Sequence, residues 1–364
     1  MKHWDRGLWG RNRLPWGRSG INYNGADAFI SEWETENGDP ASTTIVLPLS
    51  ANPVNIHVNW GDGSYSHITA YDQADKTHEY ATAGTKTIKI IGTLKGWRSH
   101  VSARLKLTLI SQWGCFEITN THTFWFCSNL EITATDAPTI STSDLDRTFG
   151  GCNLITSIGN VSGYDVSRVT LLTHFLWDCK LFNQDISPLN TVSTTEILRM
   201  LYNCDAFRHS LAALDIHLVV DMVDLLDAAT GLSTANYDAT IIAWQGDAVS
   251  THQNNVSVDF GGSKFTGTTL ITSTTTGENI DDLIDATADF DTDPPSVGDI
   301  VHNTTDDGTW ARVTGVEDAN TLSISPSIMA NANSYKIYTS AAAKAKAALI
   351  IDDGWIIKDN GSAD

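Results

Sequence analysis

Four cysteines, Cys127, Cys152, Cys179 and Cys204, stand 25, 27 and 25 residues apart, each inside the same apolar frame. Phe124, Phe149, Leu176 or Leu201 lies three residues before each, and Leu130, Ile155, Phe182 or Phe207 three residues after. A fixed period with a fixed frame means stacked repeats, each burying its apolar face only against its neighbours. Such a stack presents a long surface rather than a catalytic cavity. Apolar residues also recur seven, four and three positions ahead of the thiols: Leu172, Phe175 and Leu176; Ile197, Met200 and Leu201; Leu145 with Phe149. This spacing predicts a short helix in each repeat with one face inward. Ser193, Thr194 and Thr195 before Glu196 suit its N-cap and first turn. Leu181–Ser187 then reads as a turn into a short extended piece. The four thiols are read as small buried core residues, with disulfides or zinc as the alternatives. Zinc ligands usually come as pairs two to four residues apart, and no such pair occurs.

The first 25 residues differ in kind from the rest. Lys2, Arg6, Arg11, Arg13 and Arg18 against Asp5 give this stretch +4 within a chain of net charge −20, which leaves −24 for the remainder. Trp4, Trp9 and Trp16 are interleaved with these cations and with glycines. A segment this short cannot bury three indoles in a core of its own. It is expected either to order against a partner, with Trp4, Arg6, Trp9, Arg11, Arg13, Trp16 and Arg18 as the contact residues, or to fold back on the acidic body. The acidic excess argues against nucleic acid and anionic membranes as partners. No run of about 18 apolar residues exists to span a bilayer, and the N-terminus has no apolar core of a signal peptide.

From about 26 to 111 the pattern is β. Ile45–Leu49 and Val54–Trp60 alternate or run apolar, Trp60-Gly-Asp-Gly63 makes a turn, and Thr77–Tyr80 and Thr85–Ile91 supply further strands. The turn and the later His78-x-Tyr80…Ala83-Gly84 closely resemble the PKD-type β-sandwich. Here the Phe of that family's first motif is absent, and Lys86 replaces a Tyr. The resemblance implies a spacer or binding module without catalytic residues. The repeats of 112–245 resemble the BspA-like leucine-rich-repeat surface proteins: Phe182-Asn-Gln-Asp-Ile-Ser187 matches the end of that repeat letter for letter. Gly231–Trp244 and Val258–Phe265 resemble its tail. The repeats around Cys127 and Cys152 lack the Asn-Gln-Asp segment, so the first is expected to act as a cap.

The Ala-rich helix that follows the tail strand in that family comes here only at Ser340–Ile350. The expected C-terminal cap is therefore made of 246–269 and 340–364, interrupted by a small β domain at 270–339. Four short strands are expected there, in Val297–Val301, Trp310–Val316, Thr321–Ser325 and Tyr335–Tyr338. The stretch 277–320 holds twelve carboxylates against one Arg. Alternating Asp289, Asp291 and Asp293 supply hard oxygen ligands for calcium, yet they lack the EF-hand glycine and terminal Glu; a solvated acidic loop is the simpler reading. No other cofactor is expected.

No nucleophile elbow, phosphate loop or His-Glu-x-x-His motif occurs. His78-Glu79 opens a strand and is read as structural, and Asp62 as a turn residue. The expected fold is thus a multidomain, β-rich α+β chain: PKD-like sandwich, short α/β leucine-rich-repeat solenoid, and a cap carrying an inserted β domain. The expected function is non-enzymatic. Adhesion-type modules without an export signal point to a bacteriophage virion protein (a tail or head fibre, or a decoration protein). Its arm would grip capsid, portal or tail proteins, and its modules a host surface glycan or protein. A bacterial cell-surface leucine-rich-repeat adhesin is the alternative. A homo-oligomer is left open, since no coiled-coil pattern appears.

Overall fold

The computed structural model describes residues 21–359, apart from 39–41, 100, 247–252, 268, 280–281, 286–287, 289, 291–293, 306–308, 320 and 329–332. The chain is β-rich and multidomain, and it divides into two compact units that meet in sequence at Asp165 and Val166.

In the first unit the strands are β1 (Phe29–Glu34), β2 (Thr44–Val46), β3 (Asn55–Asn59), β4 (Tyr65–Ile68), β5 (Thr77–Glu79), β6 (Thr85–Thr93), β7 (Leu107–Gln112), β8 (Glu117–Ile118), β9 (Glu131–Ile132) and β10 (Thr139–Ile140), with a one-turn helix, α1, at Val101–Arg104. The main sheet has the order β4-β3-β6-β1-β7-β9, and two-stranded sheets β2-β5 and β8-β10 accompany it. Strict alternation sets its inner face: Phe29, Ser31 and Trp33 of β1 are buried while Ile30, Glu32 and Glu34 are partly exposed. The apolar residues Ile56, Val58, Ile88 and Ile90 continue that face. Trp33, Trp97, Trp113, Phe29 and Phe116 fill the space beneath it with less than 2 % exposure each. Trp60 is held from three sides. Its indole donates to Ser66 Oγ (2.9 Å), its carbonyl accepts Tyr80 Oη (2.8 Å), and the His78 ring stacks on it at 4.8 Å.

The helix expected ahead of each cysteine does not form. These segments are strings of tight turns instead, and their backbone bonds explain why. In the second unit the N–H groups of Leu172, His174, Leu176 and Asp178 donate to the carbonyls of Glu196, Leu198, Met200 and Tyr202, 24 residues onward, at 2.8–3.0 Å. Those of Ile197, Arg199, Leu201 and Asn203 donate in the same way to Asp221, Val223, Leu225 and Asp227. The intervening N–H groups of Phe175, Trp177 and Cys179 close turns onto the residue three before them. Half the donors that a helix would use within itself therefore bind the next coil. The first unit shows the same ladder where His122, Phe124 and Phe126 donate to Asp146, Thr148 and Gly150.

Two left-handed residues per coil make this possible. Counting from each cysteine, position −5 (His122, Arg147, His174, Arg199) and position −1 (Phe126, Gly151, Asp178, Asn203) all have φ between 50° and 74°. Asp224 and Ala228 continue both positions into a coil that has no cysteine. Each non-glycine left-handed residue costs roughly 1–2 kcal/mol, and the interrupted helical path is offset by the lateral bonds. The predicted N-cap residues play another part as well. Ser193, Thr194 and Thr195 donate their hydroxyls to the carbonyls of Ser167, Val169 and Thr170 on the preceding coil.

The second unit goes on with α2 (Thr234–Gly246), β11 (Ser257–Asp259), β12 (Thr269–Thr274), β13 (Gly277–Asn279), β14 (Asp282–Ile284), β15 (Ile300–Asn303), β16 (Thr309–Asp318), β17 (Thr321–Ser325), β18 (Ser334–Tyr338), α3 (Ala341–Ile351) and β19 (Ile356–Lys358). Parallel bridges run from Leu171 to Glu196 to Asp221, then from Met222 to Val258, and β19 pairs parallel with β11. The coil ladder thus passes into β11 and β19 without a break. Residues 269–338 form a seven-stranded antiparallel sheet, β12-β18-β15-β16-β17-β14-β13, around Leu283, Phe290, Val301, Ala311, Val313, Leu322, Ile324, Tyr335 and Ile337. That is three strands more than the four expected, because β12, β13 and β14 come from Thr- and Asp-rich sequence with little alternation. Val297, expected to open a strand, is 71 % exposed, and the strand begins at Ile300.

Candidate recognition face

The inward side of the coils is uniform. All four ladder cysteines are free and buried. Cys152 Sγ donates to Phe124 O and Cys204 Sγ to Leu176 O, both at 3.1 Å, and Cys127 Sγ to Ser99 Oγ at 3.2 Å. Burial pushes the Cys127 thiol up to about 12, against a smaller lowering by its bond to Ser99. Burial raises the Cys204 thiol as well. Such thiols are poor nucleophiles and poor metal ligands. Below them the aromatic rings stack: Phe124 on Phe149 at 5.6 Å in the first unit, Phe182 on Phe207 at 6.2 Å in the second.

The outward side varies. In the second unit, position −5 carries His174, Arg199 and Asp224 in successive coils, position −2 carries Trp177, Tyr202 and Asp227, and position −1 carries Asp178, Asn203 and Ala228. Arg199 grips one oxygen of Asp224 with Nε and Nη2 at 2.9 and 2.7 Å, and lies 5.5 Å from the Tyr202 ring. Trp177 and Tyr202 stack at 6.4 Å, and Asn203 donates to Asp178. Carboxylates of Asp224, Asp227 and Asp259 converge within 4.8 Å of one another. Burial, opposed by a bond from the Gly261 N–H and compounded by Asp227, raises the Asp259 carboxyl. Sequence reasoning missed this group: two of its members sit at positions −5 and −2 of the coil whose cysteine is replaced by Ala229, so no thiol marks the register.

Two other constellations invite chemical readings. Ser64, His78 and Asp62 meet in the turn after β3, but Ser64 Oγ (3.3 Å) and Asp62 Oδ2 (2.8 Å) both address His78 Nε2. A proton relay needs the serine and the carboxylate on opposite ring nitrogens, so this group staples the turn. Asp62 also accepts from Ser64 N at 2.9 Å, as a turn aspartate does. An open groove in the first unit, lined by Ile132, Thr133, Ala134, Thr135, Ser157, Gly159 and Asn160, contains no ionisable side chain.

Inside the second unit lies a buried charge pair. Lys346 of α3 meets Asp359, which follows β19, with Nζ 2.9 and 2.8 Å from the two carboxylate oxygens. Tyr237 of α2 donates its hydroxyl to the same carboxylate. Nζ also lies 5.0 Å from the ring centres of Phe265 and of Trp310.

The arm residues Trp4, Arg6, Trp9, Arg11, Arg13, Trp16 and Arg18 lie outside the described residues, as do Asp289, Asp291 and Asp293 of the calcium expectation. No helix among the described residues is long and apolar enough to cross a membrane. No curated protein and no solved structure matches the chain. Residues 119–244, which span all four cysteines and about a third of the chain, match the model of the family described as Mycoplasma protein of unknown function, DUF285.

Proposed function

We propose that this chain is a non-enzymatic adhesion and display protein whose coils recognise a partner on a host surface. One observation carries the reading: from coil to coil the inward positions keep their chemistry while the outward positions change it. Positions −4, −3 and 0 read Phe-Leu-Cys, Met-Leu-Cys and Leu-Leu-Ala, all buried. Positions −5, −2 and −1 read His-Trp-Asp, Arg-Tyr-Asn and Asp-Asp-Ala. A scaffold that holds its core fixed and diversifies one face is built for recognition.

For its setting we propose a bacteriophage virion, with the basic Trp-rich arm seated in the particle and the acidic modules facing outward. A second setting is the bacterial cell surface, with the chain as an adhesin. Mass spectrometry of purified particles and of the cell envelope from one producing culture separates the two. Peptides in the particles support the virion, and peptides confined to the envelope support the adhesin. Absence from both sinks both. The recognition face is tested by labelled full-length chain binding to host cells. The substitutions Arg199→Glu and Tyr202→Ala should abolish binding while leaving the melting temperature within a few degrees. Unchanged binding refutes the assignment of this face.

A further inference from the structure

The Lys346–Asp359 pair has a chemistry that recognition does not use. The two side chains are 5 % and 3 % exposed. Removing two opposite charges from water is costly unless their geometry compensates fully, and here two aromatic rings wall the ammonium in. A buried amine held in contact with a carboxyl carbon has a second outcome, which is condensation.

We propose that Lys346 and Asp359 join in an intramolecular isopeptide bond. The ammonium gives a proton to the carboxylate, and the free amine attacks Cγ of Asp359. The bond from Cγ to one carboxyl oxygen then breaks, and that oxygen leaves as water carrying two protons that began on the ammonium. Ammonium and carboxylate enter; a secondary amide and one water leave. Charge and atoms balance, and no oxidant or activating group is needed. Tyr237 keeps its own proton throughout and donates to the oxygen on which negative charge gathers in the tetrahedral intermediate, as an oxyanion donor does. Burial, reinforced by Asp359, raises the Tyr237 phenol far above its ordinary value, so it remains a donor. Contact distance replaces the encounter of two free reactants, and the aromatic walls keep out the water that would reverse the reaction.

The position in the fold gives the bond a use. β19 is paired with β11, which continues the coil ladder, and Asp359 follows β19 directly. An amide from Asp359 to α3 fastens this outermost strand covalently.

Intact-mass spectrometry of the denatured full-length chain, sampled over days after folding at neutral pH, reads the reaction. Wild type should fall by the mass of one water, and a digest should yield a branched peptide joining Lys346 to Asp359. Lys346→Arg and Asp359→Ala should stay at full mass, and Tyr237→Phe should react roughly a hundredfold more slowly. Wild type that stays at full mass, with near-ultraviolet circular dichroism showing a folded chain, overturns the proposal and leaves an ordinary ion pair. A mass deficit that maps as a cyclic imide at Asp62-Gly63 or Asp353-Gly354 overturns it equally.

Discussion

Thiol reactivity gives a direct test of the coil interior. Cys127, Cys152, Cys179 and Cys204 are all fully buried, whereas Cys115 is partly exposed. For Cys127, moving the thiol from an ordinary 9.0 to about 12 lowers its thiolate fraction at pH 8 roughly a thousandfold. Burial adds a second barrier, because a reagent reaches the sulfur only after local opening, whose free energy approaches that of global unfolding in a packed core. The two factors multiply. Native protein mixed with an aromatic disulfide reagent at pH 8 should therefore release at most one equivalent, from Cys115. That release should itself be slow, since burial also raises the Cys115 thiol. In denaturant all five thiols of the chain should react at the rate of a free cysteine. Four or five equivalents released from native protein within minutes would place the ladder at the surface and refute the inward reading of the coils.

Other outcomes follow from single contacts. Gly231→Ala should cost about 3 kcal/mol or more in chemical denaturation, because Gly231 has φ +86° and a Cβ there would sit 2.2 Å from Ser263 N; an unchanged midpoint would show that the turn is not close-packed. Thr194→Val should cost about 1 kcal/mol, the loss of the hydroxyl bond to Val169 O at 3.1 Å, and a neutral result would mean that the inter-coil hydroxyl ladder carries little. For Asp62, burial pushes the carboxyl up, but bonds from Ser64 and His78 prevail and hold it at about 2 against an ordinary 3.8. A carboxyl lowered in the fold stabilises above its unfolded value, and that contribution fades as pH falls from about 4 towards 2. The urea midpoint of wild type should decline more steeply across this window than that of Asp62→Asn, and parallel curves would refute the assignment. The effect is small, since the group is about a third exposed.

The parts of the fold legible in sequence were those where one residue type has one use. The period of the cysteines and their flanking apolar positions marked the buried side, because an inward side chain must be apolar whatever backbone carries it. Trp60-Gly-Asp-Gly63 marked the turn after β3, and Thr77–Tyr80 the strand whose His78 ring stacks on Trp60. The coil backbone was misread because apolar residues at −7, −4 and −3 face inward both in a helix and in a string of turns. The deciding signal was at positions −5 and −1, which must accept positive φ. Gly151, His174, Asp178 and Asn203 hint at it, but Phe126, Arg147 and Arg199 are residues that rarely do so, and they hid the pattern. The Asp224, Asp227 and Asp259 group was illegible for a different reason: Asp259 reaches it through a strand that enters the ladder from beyond α2, a pairing no local spacing encodes.

The lateral bonds between coils make each coil a template for the one stacked upon it, with its donors already aimed and spaced for a further layer. A stack of this kind has no intrinsic length. It stops because β11 takes the place of the next coil and β19 covers β11. Growth by one more coil is therefore a change of sequence length alone and needs no new core, while loss of the covering strands would expose a row of aimed backbone groups to the first chain able to match their spacing. In such a fold the terminating strands govern where the stack ends, and the repeats govern only the chemistry of its outward positions.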